Sequence, residues 1–151
     1  MTQPRVTFYD YPRADQLSLL CRFAGSAVER RLPMLIAVRD AEEAAEIDGL
    51  LWTFASDAFL PHEVWRPGGP GFEDASILIA ERSDLSAAAG LSGHVMLQLA
   101  PAPIEVATRF ANVVDFVDRA SDATIAEGRA RFVAWRQAGI QPEYRKPEVR
   151  P

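Results

Sequence analysis

The chain has 151 residues, 48% of them hydrophobic and 25% charged, which is ordinary for one soluble globular domain and leaves little room for a second. No apolar run approaches the roughly 18–20 residues that span a bilayer, and the N-terminal stretch MTQPRVTFYDYPR lacks the apolar centre of a secretory signal. The net charge is -5, and it is unevenly spread: residues 128–151 carry +4 and the remainder -9. Such an acidic body repels phosphate, which argues against broad nucleic-acid binding. The small basic patch suits an acidic peptide or a single carboxylate, or else is a solvated helix face. A lone cysteine, Cys21, excludes an intrachain disulfide and a multi-cysteine zinc site. The expected setting is therefore a reducing cytoplasm, with no membrane contact.

The β-branched and aromatic run Arg5–Tyr9 predicts a first strand. Leu17, Leu20, Cys21, Ala24, Ala27 and Val28 recur at helical spacing, so residues 13–30 read as an amphipathic helix. Arg30 and Arg31 suit the negative end of its dipole. Residues 33–38 read as a buried strand. Asp40 can cap a second helix, whose early Glu42, Glu43 and Glu46 suit the positive end of its dipole. Its apolar face is expected to hold Ala41, Ala44, Ala45, Leu51 and Trp52.

Phe59–His62 reads as a loop or short strand, and residues 66–74, rich in glycine and proline, as a mobile turn. Ser76–Ala80 is a strand, residues 83–93 a linker or short helical turn, and His94–Leu99 a strand. A short helix is expected over Pro103–Ala111, with proline near its start. Asn112–Val117 is a strand. Ser121 or Asp122 then opens a helix that runs to about Ala138 and stops at Gly139. Residues 1–144 form one domain in this reading, and 145–151 a partly disordered tail. The order βαβα followed by ββαβα predicts an α/β fold, a mostly parallel sheet with helices on both faces.

Tests for catalytic chemistry return little. The first strand–helix turn, Tyr9-Asp10-Tyr11-Pro12-Arg13, has no glycine to admit a pyrophosphate. No phosphate loop of the type G-x-x-x-x-G-K-[ST] occurs, and the glycines at 68, 69 and 71 precede no helix pattern. His62 and His94 are the only histidines, and His62-Glu63 belongs to no H-E-x-x-H. Gly90-Leu91-Ser92-Gly93 is one residue short of G-x-S-x-G. Cys21, on an apolar helix face, reads as a small core residue. No catalytic residue, metal ligand or cofactor is therefore assigned.

Arg129, Phe132, Val133 and Arg136 fall at i, i+3, i+4 and i+7, one stripe of a helix. Two readings stand. The stripe is a groove for an extended peptide bearing an apolar side chain and a carboxylate, which arginine grips with paired charge-assisted bonds. Alternatively the helix is half-buried, with Phe132 and Trp135 in the core and arginines over the rim.

Several separated stretches resemble the chi subunit of bacterial DNA polymerase III holoenzyme, part of the clamp-loader complex. They are Thr7-Phe8-Tyr9, Leu51-Trp52-Thr53-Phe54, Phe59-Leu60-Pro61-His62, Asn112–Val117 and Arg129–Gly139. Each is weak alone; their order and spacing over nearly the whole chain are specific. The resemblance implies a Rossmann-like fold used for binding and not for catalysis. It implies a protein that grips the acidic C-terminal tail of single-stranded DNA-binding protein, which ends in proline, phenylalanine and a free carboxylate. Arg129, Phe132 and Arg136 match family positions lining that tail site, and Val117 matches its apolar wall. Val133 stands where well-known members carry lysine, which implies weaker, less salt-sensitive binding, with Arg131, Arg145 or Lys146 as candidates to compensate. Trp52 and Phe59 match positions that contact a second small subunit, psi, or a helicase-like repair partner. Both rings also read as core residues, since Trp52 continues the apolar face of its helix.

The competing reading from another class is a nucleotide-dependent or hydrolytic α/β enzyme. A third, direct binding of single-stranded DNA, needs a basic groove with stacking aromatics that the acidic body does not offer.

Overall fold

Alternation within the first strand, β1 (Arg5–Tyr9), sets the two layers of the molecule. Val6 and Phe8 enter one core, and Tyr9 packs on the other. A computed structural model describes residues 3–54, 60–87 and 90–146. In chain order, the elements after β1 are α1 (Arg13–Arg30), β2 (Met34–Val38), α2 (Ala41–Phe54), β3 (His62–Trp65) and β4 (Ile77–Glu81). A short 3-10 turn at Leu85–Ala87 precedes β5 (Gly93–Gln98), α3 (Ile104–Ala107), β6 (Phe110–Phe116), α4 (Asp122–Gln137) and β7 (Glu143–Arg145).

The strands form one sheet in the order β3-β4-β2-β5-β6-β1-β7, and every pairing is parallel. Right-handed crossovers then decide the layers. The connections through α1 and α2 step one way along the sheet, so both helices lie on one face. Their buried residues Leu20, Ala24, Ile47 and Leu51 pack there with Met34, Ile36 and Val38 of β2. The later connections step the other way and cover the opposite face. Phe72 and Ala75, Leu85 and Leu91, Val106 of α3 and Trp135 of α4 pack there with Leu35 and Ala37. The α/β fold with helices on both faces is as the sequence predicts.

Four local expectations need correction. The buried face of α2 runs through Glu43, Ala44, Ile47 and Leu51, while Ala41, Ala45 and Trp52 are exposed. Leu51 points into the core, and its neighbour Trp52 is turned about 100° away from it. The helix expected over Pro103–Ala111 is only the single turn α3, because Phe110 opposite Gly93 already belongs to β6. The strand β3 begins at His62, where the expected loop or short strand ends, and runs to Trp65. The segment Glu143–Arg145 is a strand beside β1, so Arg145 belongs to the sheet. A proline at position 142 and charged side chains disguised it, yet both suit an edge strand. Residues 147–151 of the expected tail lie outside the described residues.

Sequence rules do explain the ends of α4. Ser121 caps it: its hydroxyl accepts from the Thr124 N–H at 3.1 Å, and the Thr124 hydroxyl accepts from the Ser121 N–H at 3.1 Å. At the other end Gly139 takes φ +87°. The Gly139 N–H donates to the Arg136 carbonyl and the Ile140 N–H to the Trp135 carbonyl, both at 3.0 Å, closing the helix.

Candidate functional site

The rotation of α4 about its axis decides which side chains reach solvent. Trp135, 1% exposed, is the inward anchor. At about 100° per residue, Phe132 lies roughly 60° from it, Arg136 100°, Arg129 120° and Val133 160°. Exposure follows that sequence: Phe132 is half-buried, the two arginines are exposed, and Val133 is 48% exposed. Exposure bears on the half-buried reading of the stripe. Trp135 is core and Phe132 partly so, while the arginines stand clear.

Phe132 packs on Phe8 of β1, with ring centroids 5.3 Å apart and planes tilted by 59°. Val117 follows β6 and is half-buried against the same core cluster. Its backbone N–H donates to the Tyr9 carbonyl at 2.9 Å, which continues the β1–β6 ladder by one residue. Phe132 and Val117 therefore each offer a partly covered apolar surface on a rigid base. Among the described residues, neither Arg129 nor Arg136 makes a side-chain hydrogen bond or ion pair.

Arg131 behaves differently. Its guanidinium donates two 2.8 Å bonds to the two oxygens of Asp115, a carboxylate on β6 that is 1% exposed. Glu127, one turn earlier, lies 3.8 Å from it. Burial pushes the Asp115 carboxyl upward, against the pull of Arg131 and the Phe116 N–H. Arg131 is thus committed to Asp115. Arg145 lies 3.3 Å from Glu143, a carboxylate that it shares with Arg5. The run Asn112-Val113-Val114-Asp115-Phe116-Val117 held the clue, since a carboxylate in an otherwise apolar central strand requires a buried cation.

Trp52 settles on the exposed side of its two readings, at 57%, with Phe54 nearby in sequence at 47%. The indole stands edge-on to His62, centroids 4.9 Å apart. That imidazole is buried; its Nδ1–H donates to the Leu60 carbonyl at 2.6 Å, and its Nε2 lies 3.0 Å from Asp48 Oδ1 outside hydrogen-bond geometry. Phe59, the other residue assigned to this face, lies outside the described residues.

The carboxyl ends of the strands open on a crevice of about 1230 Å³, where α/β sheets commonly bind ligands. Its charges are largely spent on each other. Arg13 donates to Glu43 and Glu46 at 3.1 and 3.0 Å. Glu43 also accepts from the Arg39 N–H at 2.8 Å, so its place in the first turn of α2 serves more than the dipole. Arg119 Nε donates to Asp10 at 2.8 Å, and the Tyr144 hydroxyl donates to the same carboxylate. These bonds hold the Asp10 carboxyl at about 2. Among the described residues no group of three or more His, Cys, Asp or Glu side chains is placed to hold a metal ion. Cys21 is buried, and burial pushes its thiol up, as for a core residue.

Comparison with known proteins adds a second line. The family model described as "DNA polymerase III chi subunit, HolC" matches residues 1–143. The DNA polymerase III subunit chi of Escherichia coli strain K12 is 28% identical over 122 residues, covering 81% of this chain and 79% of that protein. The DNA polymerase III subunit chi of Pseudomonas aeruginosa is 36% identical over 63 residues, 40% of this chain and 44% of that protein. The match thus spans less than half the length of the Pseudomonas protein and about four-fifths of the E. coli one.

Proposed function

We propose that this chain, which belongs to the DNA polymerase III chi subunit family, is a non-catalytic adaptor that binds the acidic C-terminal tail of single-stranded DNA-binding protein. It thereby links that protein to the clamp-loader complex. Family membership makes the chain a replication accessory subunit of DNA polymerase III. The observation that carries the finer reading is the outward flank of α4. There two uncommitted arginines flank Phe132, whose exposed side continues the core.

The chemistry of the two partners is complementary. A tail ending in phenylalanine presents an apolar ring and a carboxylate on the same residue. Phe132 and Val117 receive the ring, one arginine grips the carboxylate, and the other attracts the acidic residues before it. Arginine does this better than lysine because two parallel bonds fix the carboxylate plane. Val133 replaces a charge with apolar surface beside the ring site. Since an exposed charge contact contributes about 1 kcal/mol or less, the substitution weakens binding without abolishing it. One buried ring and one carboxylate, less the entropy of ordering a flexible tail, correspond to micromolar affinity, about -8 kcal/mol.

Trp52 and Phe59 serve a second partner, either psi or a repair helicase. An indole left 57% exposed at the end of a helix suits an interface. The chain works in the cytoplasm; no helix among the described residues is long and apolar enough to cross a membrane. Direct binding to DNA is weak or absent.

The test is a calorimetric titration with a peptide copying the last ten or so residues of the host's single-stranded DNA-binding protein. The control is that peptide without its terminal phenylalanine. Saturable micromolar binding of the intact peptide alone is expected. Equal binding of both peptides, or of neither at low salt, would overturn the reading.

A further inference from the structure

The face of the sheet that carries α1 holds a second feature, unrelated to α4. A hollow of about 260 Å³ lies between the C-terminal half of α1 and the strands β1, β5, β6 and β7. Parallel register builds its floor. Thr7 stands opposite Val114 and Glu143, and Tyr9 opposite Arg145, so these side chains share one face.

The lining is one-sided in charge. Arg5, Arg30 and Arg145 line the hollow, and no carboxylate does. Glu143, adjacent on β7, takes two bonds from Arg5 at 3.0 and 3.1 Å and one from Arg145 at 3.3 Å. Three guanidinium groups thus face one carboxylate, an excess of two positive charges in a chain of net -5. Arg30 makes no side-chain hydrogen bond or ion pair among the described residues.

Among the neutral groups of the hollow, Asn112 Nδ2 donates to the His94 carbonyl at 3.3 Å and lies 3.4 Å from His94 Nε2, whereas three hydroxyls lack partners among the described residues. Thr7 is only 7% exposed, lines the hollow, and its hydroxyl meets no hydrogen-bond partner among the described residues. The oxygen itself opens onto the hollow, so it is available to a ligand that enters. The Tyr9 and Ser26 hydroxyls line the same space and are equally unpaired. Burial raises the Tyr9 phenol above its ordinary value; Arg145 and Arg5 pull it down, while Tyr11 and Glu143 add to the rise. Hydroxyl donors beside unpaired guanidinium are the chemistry that holds an oxyanion. The volume lies below the about 300 Å³ at which pockets for drug-sized ligands begin, so it suits a small anionic group.

We propose that this hollow is a binding site for a small oxyanion, a phosphate or carboxylate group, held by Arg30 and Arg145 and oriented by the hydroxyls of Thr7 and Tyr9. The site is separate from the α4 flank, on the opposite face of the sheet, and does not depend on the tail-binding reading.

Titration of the 15N-labelled full chain at low ionic strength, with sodium phosphate and separately with sodium acetate against sodium chloride, tests it. Saturable shifts at Thr7, Ser26 and Arg30 are expected, with a dissociation constant of roughly 1 mM or tighter for at least one anion. Phosphate alone, or acetate alone, identifies the chemical class. Arg30→Gln should weaken binding about tenfold or more, and so should the isosteric Thr7→Val, which leaves no buried hydroxyl behind. Arg22→Gln, on the same helix but not lining the hollow, should leave these shifts unchanged. Shifts with neither anion up to tens of times that concentration, or shifts undiminished in both Arg30→Gln and Thr7→Val, would overturn the proposal.

Discussion

Two sides of α4 hold the same residue type in opposite states. On the inward side Arg131 is fixed by two 2.8 Å bonds to a carboxylate that is 1% exposed. On the outward side Arg129 and Arg136 meet no carboxylate among the described residues. The first arrangement secures the helix to β6. It contributes little beyond what an apolar pair would, but it specifies one rotation of the helix. That rotation leaves Phe132 half-covered and the outer arginines free. A buried, satisfied arginine is structure, whereas an exposed, unsatisfied one beside an aromatic ring is available to a partner.

The sharpest way to break the comparison is Arg131→Ala. It strands a buried carboxylate, and a loss of about 3–5 kcal/mol is expected. Thermal unfolding should report a Tm lower by roughly 6–20 °C for a domain of this size. Replacing both partners at once, Asp115→Leu with Arg131→Met, should restore most of that stability, because neither charge is then left alone.

The outer arginines should behave in the reverse manner. Arg129→Ala or Arg136→Ala is expected to weaken tail binding about ten- to a hundredfold, roughly 1.5–3 kcal/mol for a charged hydrogen bond. Tm should be unchanged within the scatter of surface substitutions. Parallel loss of binding and of Tm would instead place these side chains in the structure and not in the site.

Trp52 extends the comparison to a second surface. Its exposure predicts that Trp52→Ala costs less than about 1 kcal/mol in a denaturant titration, chiefly the edge-on contact with His62. Binding of the α4 tail peptide should not change.

The smallest effect concerns a third kind of arginine, exposed and paired. Arg119 and Tyr144 hold the Asp10 carboxyl at about 2, below its ordinary value of 3.8. A depressed carboxylate stabilises the fold above its unfolded value, and that contribution is lost as pH falls through the folded value. A loss of stability between about pH 4 and pH 2 is therefore expected. Asp10→Asn should flatten that part of the pH–stability curve. Exposure of Arg119 screens the pair and keeps the effect modest.

Much of the fold is legible in the sequence, and the exceptions have physical causes. The helix α1 and the bounds of α4 follow from periodicity and capping, with Ser121 and Gly139 marking the ends of α4. The strand β7 is hidden because an edge strand tolerates the prolines and charges that mark a tail. The exposure of Trp52 is hidden because a single helix shows which residues are apolar and not which face meets the sheet. Ile47 and Leu51 take that face, and Trp52 does not. In the candidate site, the stripe from Arg129 to Arg136 can be found from spacing. Asp115 in a buried strand signals that a cation is needed, but not that Arg131, sixteen residues later in the chain, supplies it. Charge alone made Arg131 look available.

The most direct test of the central claim, that α4 presents its outward flank to an acidic tail, is a map of where the tail peptide lands. Backbone amide shifts of the labelled chain would be followed during titration with the intact peptide. The largest changes are predicted at Val117, Arg129, Phe132, Val133 and Arg136, with Arg131 and Asp115 keeping their bond. Changes centred instead on Trp52 and the end of α2, or in the crevice around Asp10 and Arg119, would contradict the account.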